Sequence, residues 1–292
     1  MHSDRVFIKK SLKFSLNSSF SLNSLDKFPF KEYKLGHTVG SRERRNMDIQ
    51  WGFFSPVHIV TLILAVAMIW GLYKFLKNKS KTFQTLVLGL LSLSGIAAII
   101  FNLVTWDSPW EYLPLHLCSI NAILLPIAVF KRSKTIGNML LLWSLGSLAA
   151  IVVNNAQADF EIFSSTFFFY YFPHVLEFGI PILLIRLGLI EKDARCIFST
   201  LALTVLIYTL VHLCNLTLNA LDLENQAGVD IVVNYMYSMV PENPVMMLCW
   251  KILPRRYWYL FLLFPMIALY LLAVYAPQIR PIYRKYRAKA AG

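Results

Sequence analysis

Seven apolar stretches, most of them close to twenty residues long, follow one another along this chain from Val57 onward. They cover residues 57–77, 84–104, 113–130, 135–153, 169–190, 196–218 and 258–276. A helix needs about 20 apolar residues to cross a hydrocarbon layer of about 30 Å. With 57% hydrophobic and only 15% charged residues, the composition excludes a soluble domain of this size. The pattern predicts an all-α polytopic membrane protein, a bundle of seven transmembrane helices.

The basic residues predict how this bundle is oriented. Lys and Arg cluster after the first, third and fifth stretches and in the tail after the seventh, whereas the loops 105–112 and 154–168 contain none. Loops rich in Lys and Arg stay in the cytoplasm, so we expect the N-terminus outside and the C-terminus inside. The net charge of +12 is therefore a topology signal, and no nucleic-acid partner is predicted.

The first 46 residues contradict this charge rule. They carry ten Lys and Arg residues, are rich in Ser and Asn, and have no apolar core typical of a signal peptide. We therefore predict that residues 1–46 are a disordered or untranslated tail and that Met47 is the start. The membrane domain would then cover 47–280, followed by a basic cytoplasmic tail at 281–292.

Most polar groups of the seven stretches fall on the predicted outer side. Ionisable groups inside a membrane are costly and usually functional, so the pattern predicts an outward-facing polar cavity between the third, fifth and sixth spans. The residues concerned are His58, Asn102, His116, Cys118, Asn121, Asn154, Asn155, His174, Glu177, His212, Cys214 and Asn215.

Helical spacing selects a smaller set from these residues. Cys118 and Asn121 share one helix face, as do His174 and Glu177, because each pair is three residues apart. His116 lies two residues from Cys118 and should point to the other side of the helix. A base for Cys118 must then come from another helix.

His174 is the best candidate for that base, and His212 is the second. A lone histidine near a helix end more often bonds a neighbouring carbonyl, and this structural interpretation is favoured for His58 and His212. Cys118, taken alone, would more often be a packing residue than a nucleophile.

Three kinds of chemistry fit these residues. A thiolate activated by a histidine is suited to acyl transfer through a thioester, with Asn121, Asn154 or main-chain amides stabilising the oxyanion. Zinc-dependent hydrolysis would use His116, His174, His212 and Glu177, but no HExxH pairing is present, so we predict no metal and no cofactor. A proton relay for transport is opposed by the apolar inner half of the spans.

The connection 219–257 is the one long loop, and a loop of this length in a compact bundle is usually functional. Its segment 231–240 is apolar but too short to span a membrane. We predict that it forms a re-entrant or interfacial element that covers the cavity.

Four motifs resemble the bacterial YwaF family of integral membrane proteins, which is itself similar to eukaryotic transmembrane protein 164. The resemblance covers about 47–277, and Leu-Pro-Leu-His-Leu-Cys is its most specific element. The motifs are Phe54-Ser55-Pro56-Val57-His58, Leu113-Pro114-Leu115-His116-Leu117-Cys118, Tyr171-Phe172-Pro173-His174 and Asn234-Tyr235-Met236.

The resemblance implies a seven-helix protein of the plasma membrane. The eukaryotic relatives are described as cysteine-dependent phospholipid acyltransferases, so Cys118 would be the nucleophile, His174 its base and His116 an orienting residue. Asn234 and Tyr235 would roof the cavity, and membrane phospholipids would be the partners. The alternatives are a transport or ligand-binding protein that uses the same cavity without covalent chemistry, and a structural or regulatory membrane protein.

Overall fold

The computed structural model describes residues 51–52, 54–106, 108–153, 161–221, 223–224, 228 and 230–290. Backbone contacts divide the chain after Asn46, and every residue described here belongs to the second unit. The predicted tail 1–46, the start at Met47 and the site residue Asn154 lie outside the described residues.

Eight α-helices and three short 3₁₀ segments make up the described part of the chain, which contains no strand. This confirms the all-α class. The helices are α1 Pro56–Leu76, α2 Lys81–Thr105, α3 Leu117–Lys131, α4 Lys134–Val152, α5 Ser165–Arg186, α6 Cys196–Asn219, α7 Pro244–Ile252 and α8 Phe264–Ala290, and the 3₁₀ segments are Pro109–Glu111, Tyr235–Tyr237 and Trp258–Leu263.

Six segments are long and apolar enough to cross a membrane: α1, α2, α4, α5, α6 and Trp258–Gln278. A helical membrane protein is thereby confirmed. The one remaining predicted span, the third (113–130), corresponds to α3, which is apolar but has only 15 residues. Four residues that we assigned to this span, Leu113–His116, precede the helix, and the total of seven spans and the orientation remain predictions.

Serine residues set where most of the long helices begin. The Ser55, Ser80, Ser133 and Ser164 side chains each accept a hydrogen bond from a main-chain amide in the first turn, which satisfies one of the donors left open at a helix start. Helix α5 therefore begins at Ser165, four residues earlier than predicted. Glu177 consequently lies halfway along α5 and not near its outer end.

Helices α4 and α5 form the centre of the bundle. About half of their most apolar window is buried (56% in each), against 17% in α1 and 11% in α6, so the outer helices present most of their apolar side chains outward. The central core includes Leu125, Leu140, Leu176 and Leu183, each at most 2% exposed. This arrangement places polar residues of α4 and α5 where water has little access.

Residues 231–240, called the roof loop below, are fastened to α6 by two asparagine side chains. Asn219 pairs with the main-chain N–H and C=O of Val233, both at 2.8 Å. One turn earlier on α6, Asn215 pairs in the same way with Tyr235. The two amides thus act like a neighbouring β-strand, since they satisfy alternate residues of an extended segment.

Candidate functional site

A buried chain of hydrogen bonds joins the three helices α3, α4 and α5. The side-chain amide of Asn121 donates to Ser147 Oγ at 3.3 Å, and the Ser147 hydroxyl donates to Glu177 Oε2 at 2.9 Å. All three side chains are at most 3% exposed. The sequence predicted Asn121 and Glu177 as site residues, and the structure brings them together through a serine that we did not single out.

Cys118 and His174 lie one helical turn beyond this chain, toward the same end of the bundle. Each precedes its buried partner by three residues, Cys118 on α3 and His174 on α5. On α4, three residues beyond Ser147, the carbonyl oxygen of Ala150 accepts a hydrogen bond from the Tyr170 hydroxyl at 2.9 Å. At the level of Cys118 and His174, α4 therefore has Ala150 with its methyl side chain, whereas at the level of the buried chain it has Ser147 with a hydroxyl group.

Four side chains on this level form what we call the recess: Cys118, Tyr170, His174 and Tyr237. Each retains accessible surface, although the surrounding protein desolvates Cys118 and Tyr170 strongly. Tyr170 interacts electrostatically with Cys118 and Tyr237. Groups that are enclosed by protein but still accessible indicate a concave site.

The hydrogen bonding of His174 fixes its tautomer. Its Nδ1 lies 2.6 Å from the main-chain carbonyl oxygen of Tyr170, and since a carbonyl can only accept, Nδ1 carries the proton. The lone pair is then on Nε2, which is the arrangement of a general base. The Tyr170 ring packs on the imidazole with centroids 4.5 Å apart and holds its orientation.

Cys118 occupies the first turn of α3, whose start has no side-chain cap in the part of the chain that is described. Five other helices have one. The thiol interacts with the Ser119 hydroxyl and with the main-chain amides of Ser119 and Cys118 itself. Open amides at a helix N-terminus favour a negative charge, so they are donors for an oxyanion that forms next to the thiol.

No hydrogen bond joins Cys118 to His174 among the described residues. Both side chains nevertheless interact electrostatically with Glu177, which places them around the same carboxyl group. The pair is therefore brought into one recess without being in direct contact.

The roof loop lies against this recess through His116. The main-chain N–H of Met236 donates to His116 Nδ1 at 3.3 Å, and the imidazole meets the rings of Tyr235 and Tyr237 at 5.1 and 5.5 Å. The Tyr235 hydroxyl donates to the carbonyl of Trp110 and accepts the Leu113 N–H at 3.0 Å. Burial raises the pKa of Tyr235 to about 12, so this hydroxyl keeps its proton.

The position of His116 differs from our expectation. Helix α3 begins only at Leu117, and His116 is its N-cap residue with an extended backbone (φ −70°, ψ 152°). His116 therefore lies outside the helix, at the same end as Cys118, and among the described residues its side chain makes no hydrogen bond to the first turn.

Asn234 closes the roof loop on itself. Its Oδ1 accepts the N–H groups of Met239 and Val240, and its Nδ2 donates to Glu242 Oε1 at 2.6 Å. Burial raises the pKa of Glu242, and the hydrogen bond from Asn234 opposes this rise. The sequence predicted that Asn234 and Tyr235 roof the cavity; the structure has both in the roof loop, with the Tyr235 ring packed against His116, and their role as a roof stays a prediction.

The two remaining histidines are hydrogen-bonded to other parts of the fold, and the structural interpretation favoured for them from the sequence stays a prediction. His58 accepts the Phe54 N–H at Nδ1 and, through Nε2, donates to the Ile151 carbonyl at 2.7 Å, with no exposed surface. His212 bonds Ser238 Oγ at 2.9 Å and so helps α6 to hold the roof loop. Helix α4 adds Ser147 and the Ala150 carbonyl near the recess, and the predicted contribution of the sixth span to the cavity stays a prediction.

The donor set for zinc is not assembled. In the described ranges no three His, Cys, Asp or Glu residues come close enough to hold a metal ion. All four cysteines are free. The zinc alternative therefore receives no support from the geometry of these residues.

Three residues of the site escaped the sequence analysis. Ser147 sits in an apolar helix, Tyr170 in the aromatic run Phe167–Phe172, and Gly95 in a stretch of small residues. A Cβ on Gly95 would lie 2.6 Å from the Cβ of Ala122 and 3.5 Å from Glu177 Oε1. The missing side chain therefore lets α2 approach α3 and the buried carboxyl group.

A bundle with six segments long and apolar enough to cross a membrane defines a polytopic helical membrane protein. A family model described as the TMEM164 family matches residues 53–275. The chain belongs to this family. No curated protein and no solved structure matches it significantly.

Proposed function

We propose that this protein is a membrane acyltransferase that moves phospholipid acyl chains through a thioester on Cys118. The observation that carries the proposal is the tautomer of His174. A carbonyl oxygen holds its Nδ1–H and leaves the Nε2 lone pair in the recess that contains the only thiol described there. Thioester chemistry requires an imidazole with a free lone pair in the same site as a thiol, and hydrogen-bond donors for the oxyanion such as those of an uncapped helix start.

The first half-reaction transfers the acyl group to the protein. His174 Nε2 takes the proton of Cys118, and the sulfur attacks the ester carbonyl carbon of a phospholipid. The oxyanion is stabilised by the main-chain amides in the first turn of α3. When it collapses, the ester C–O bond breaks, and the lysophospholipid leaves with the proton that His174 returns.

The second half-reaction regenerates the thiol. A hydroxyl group of an acceptor lipid gives its proton to His174 and attacks the thioester carbonyl, and the C–S bond then breaks. The sulfur takes back the proton and a new ester is released. With water as the acceptor, the same steps produce a free fatty acid, so the balance between transfer and hydrolysis depends on how well the recess excludes water.

The recess must bring Cys118 Sγ and His174 Nε2 together in this cycle. Catalytic hydrogen bonds are often long before the substrate binds and shorten in the reactive complex. The methyl group of Ala150 leaves room for such a rearrangement, because no side chain of α4 bridges the two groups at this level. Glu177 interacts electrostatically with both Cys118 and His174, and its hydrogen bond from Ser147 links α5 to α4 below them.

We also propose that α3 completes a seven-span bundle with the recess on the outer side of the plasma membrane. The basic residues after α1, α3 and α5 support this orientation. Lys134 and Arg195 there form ion pairs with Asp193 at 2.7 and 2.9 Å.

The test is to look for the acyl-enzyme itself. Protein in lipid nanodiscs containing phosphatidylcholine with a labelled acyl chain should acquire a label that neutral hydroxylamine releases. Cys118→Ala should abolish this label, and His174→Ala should slow its appearance by about 10²-fold or more. Cys214→Ser is the matched control, because Cys214 is also a free thiol in the outer part of the bundle.

The outcomes separate the alternatives. Label that persists in Cys118→Ala would refute the thioester. Wild-type protein that retains phospholipid stoichiometrically but never becomes labelled would favour the ligand-binding or transport function, in which the same recess holds a lipid without covalent chemistry.

A further inference from the structure

His116 borders the recess through its ring contact with Tyr237, and its proton is on the nitrogen opposite to the one that is protonated in His174. Its Nδ1 accepts the Met236 N–H, so in the neutral ring the proton must be on Nε2. His174 donates from Nδ1 and has its lone pair on Nε2. The two imidazoles thus present complementary atoms, one a hydrogen-bond donor and the other a base.

The donor atom of His116 is available to a ligand. Within the described residues Nε2 has no hydrogen-bond partner, and it is not among the buried unpartnered atoms. The ring is held edge-on by Tyr235 and at a tilt by Tyr237, so its direction is defined before any ligand arrives. A fixed donor that costs no reorganisation is the property that makes electrostatic stabilisation effective.

The N-cap position brings this donor to the helix end that contains the thiol. His116 precedes Cys118 by two residues, and its ring contacts that of Tyr237, which belongs to the recess. Within the described part of the chain the His116 side chain makes no hydrogen bond to the amides of the first turn, so these amides and the Nε2–H of His116 are separate donors at one helix end. The carbonyl oxygen of an ester attacked by Cys118 would lie at this same helix end.

An unusual backbone holds Met236 in place. Met236 and Tyr237 both have positive φ values, 51° and 56°, which residues other than glycine rarely adopt. The Tyr237 N–H donates to the Asn234 carbonyl at 3.0 Å, and the Tyr259 hydroxyl donates to the Tyr237 carbonyl. Conformations of this kind persist only where the surroundings enforce them, and they concentrate at functional sites.

We infer that His116 is an oxyanion donor in addition to the main-chain amides in the first turn of α3. It is a neutral imidazole whose Nε2–H binds the carbonyl oxygen of the acyl ester, and the Met236 amide fixes its tautomer. The inference rests on the proposed function. No proton leaves His116 in either half-reaction. It strengthens one hydrogen bond as charge develops on the oxygen, whereas His174 carries out every proton transfer.

Acylation and thiol reactivity distinguish this role from that of a base. In His116→Ala the rate of acyl-enzyme formation should fall by about 10²–10³-fold, the loss expected for one oxyanion donor. Alkylation of Cys118 by iodoacetamide should change less than about threefold, because this reaction develops no oxyanion. His174→Ala should slow both reactions.

A conservative variant and a roof variant complete the experiment. His116→Gln places an amide N–H near the position of Nε2 and should restore acylation to within about tenfold of wild type. Tyr259→Phe removes the hydroxyl that holds the Tyr237 carbonyl and so loosens the roof loop without changing the imidazole. It should reduce acylation much less than His116→Ala does.

Each other result overturns the assignment. Normal acylation by His116→Ala would show that the donor is not needed, and equal loss of alkylation in His116→Ala and His174→Ala would make His116 a base. An equal effect of Tyr259→Phe would reduce His116 to a support of the roof loop. Wild-type protein that forms no thioester would refute the proposed function and this inference together.

Discussion

Asn215 pairs its side-chain amide with both main-chain groups of Tyr235, donating to the carbonyl oxygen at 2.8 Å and accepting the N–H at 3.0 Å. Asn215 Nδ2 also donates to Ser238 Oγ at 2.8 Å. A single buried side chain of α6 thus fixes both ends of the 3₁₀ turn in the roof loop.

Replacing this side chain should release the roof loop. Asn215→Ala leaves the buried N–H of Tyr235 unpaired and leaves its carbonyl with only the long hydrogen bond from the Ser238 N–H, so the unpaired N–H alone should cost about 1–3 kcal/mol. We expect faster amide hydrogen exchange throughout 231–240 and a lower melting temperature. Thr217→Ala is the control, since Thr217 is exposed and bonds only the Leu213 carbonyl of its own helix. Unchanged exchange in Asn215→Ala would contradict this role.

Ser147 should matter more than other buried serines. Ser147→Ala breaks two hydrogen bonds at once and leaves Asn121 and Glu177 without a link across the helices, so the free energy of unfolding should fall by about 1–3 kcal/mol. Ser92→Ala should have a smaller effect, because Ser92 is also buried but bonds only Gly89 of its own helix. Denaturation in mild detergent would measure the difference, and equal losses would argue against the buried chain.

Replacing Gly95 of α2 and Gly71 of α1 by alanine should have opposite effects on the stability of the protein. In Gly95→Ala the new methyl group would lie 2.6 Å from the Cβ and 3.2 Å from the Cα of Ala122, so α2 and α3 must separate at a cost of about 1–3 kcal/mol. Around Gly71 nothing lies within 4 Å. Gly71→Ala should stabilise α1 by about 0.4–1 kcal/mol. Thermal unfolding of both variants would test the packing, and a neutral Gly95→Ala would refute it.

The roof loop should lose stability as the pH rises. Burial raises the pKa of Glu242 in the folded protein, so the folded state holds this proton more tightly than the unfolded chain does. The stabilisation that comes from holding this proton is fully present below the ordinary glutamate pKa of about 4.3. It is lost as the pH increases through the raised pKa that Glu242 has in the folded protein.

Glu242→Gln should remove that part of the pH dependence. The side-chain carbonyl oxygen of the introduced glutamine can still accept the hydrogen bond from Asn234, and no charge is buried at any pH. We expect the variant to be more stable than wild type at pH 8 and similar at pH 4.5, as measured by thermal unfolding. A parallel decrease of both proteins between these pH values would show that Glu242 does not titrate in this range.

The sequence predicted the six long apolar segments well because hydropathy acts over about twenty residues at a time. The polar pairs Cys118–Asn121 and His174–Glu177 were also predicted, since spacing within one helix is a local property. Each pair lies on one helix face, as expected, and the buried partners Asn121 and Glu177 are joined through the Ser147 hydroxyl.

Contacts between helices were not predictable in the same way. Ser147 joins Asn121 to Glu177 only because α4 is antiparallel to both helices, and a serine in an apolar helix gives no signal of this by itself. The N-cap position of His116 was missed because hydropathy continues through Leu113–Leu117, whereas the helix begins after the proline turn. Helix α7 was missed because its nine residues are too few for a span.

The prolines of α5 have one more consequence for the pair that it carries. Pro173 leaves the Phe169 carbonyl, and Pro181 the Glu177 carbonyl, without the usual main-chain donor in the helix. The section between them contains both His174 and Glu177 and is bounded on each side by a weakened turn. A bend at Pro173 would change the distance from this section to Cys118, while the hydrogen bond from Ser147 keeps Glu177 tied to α4.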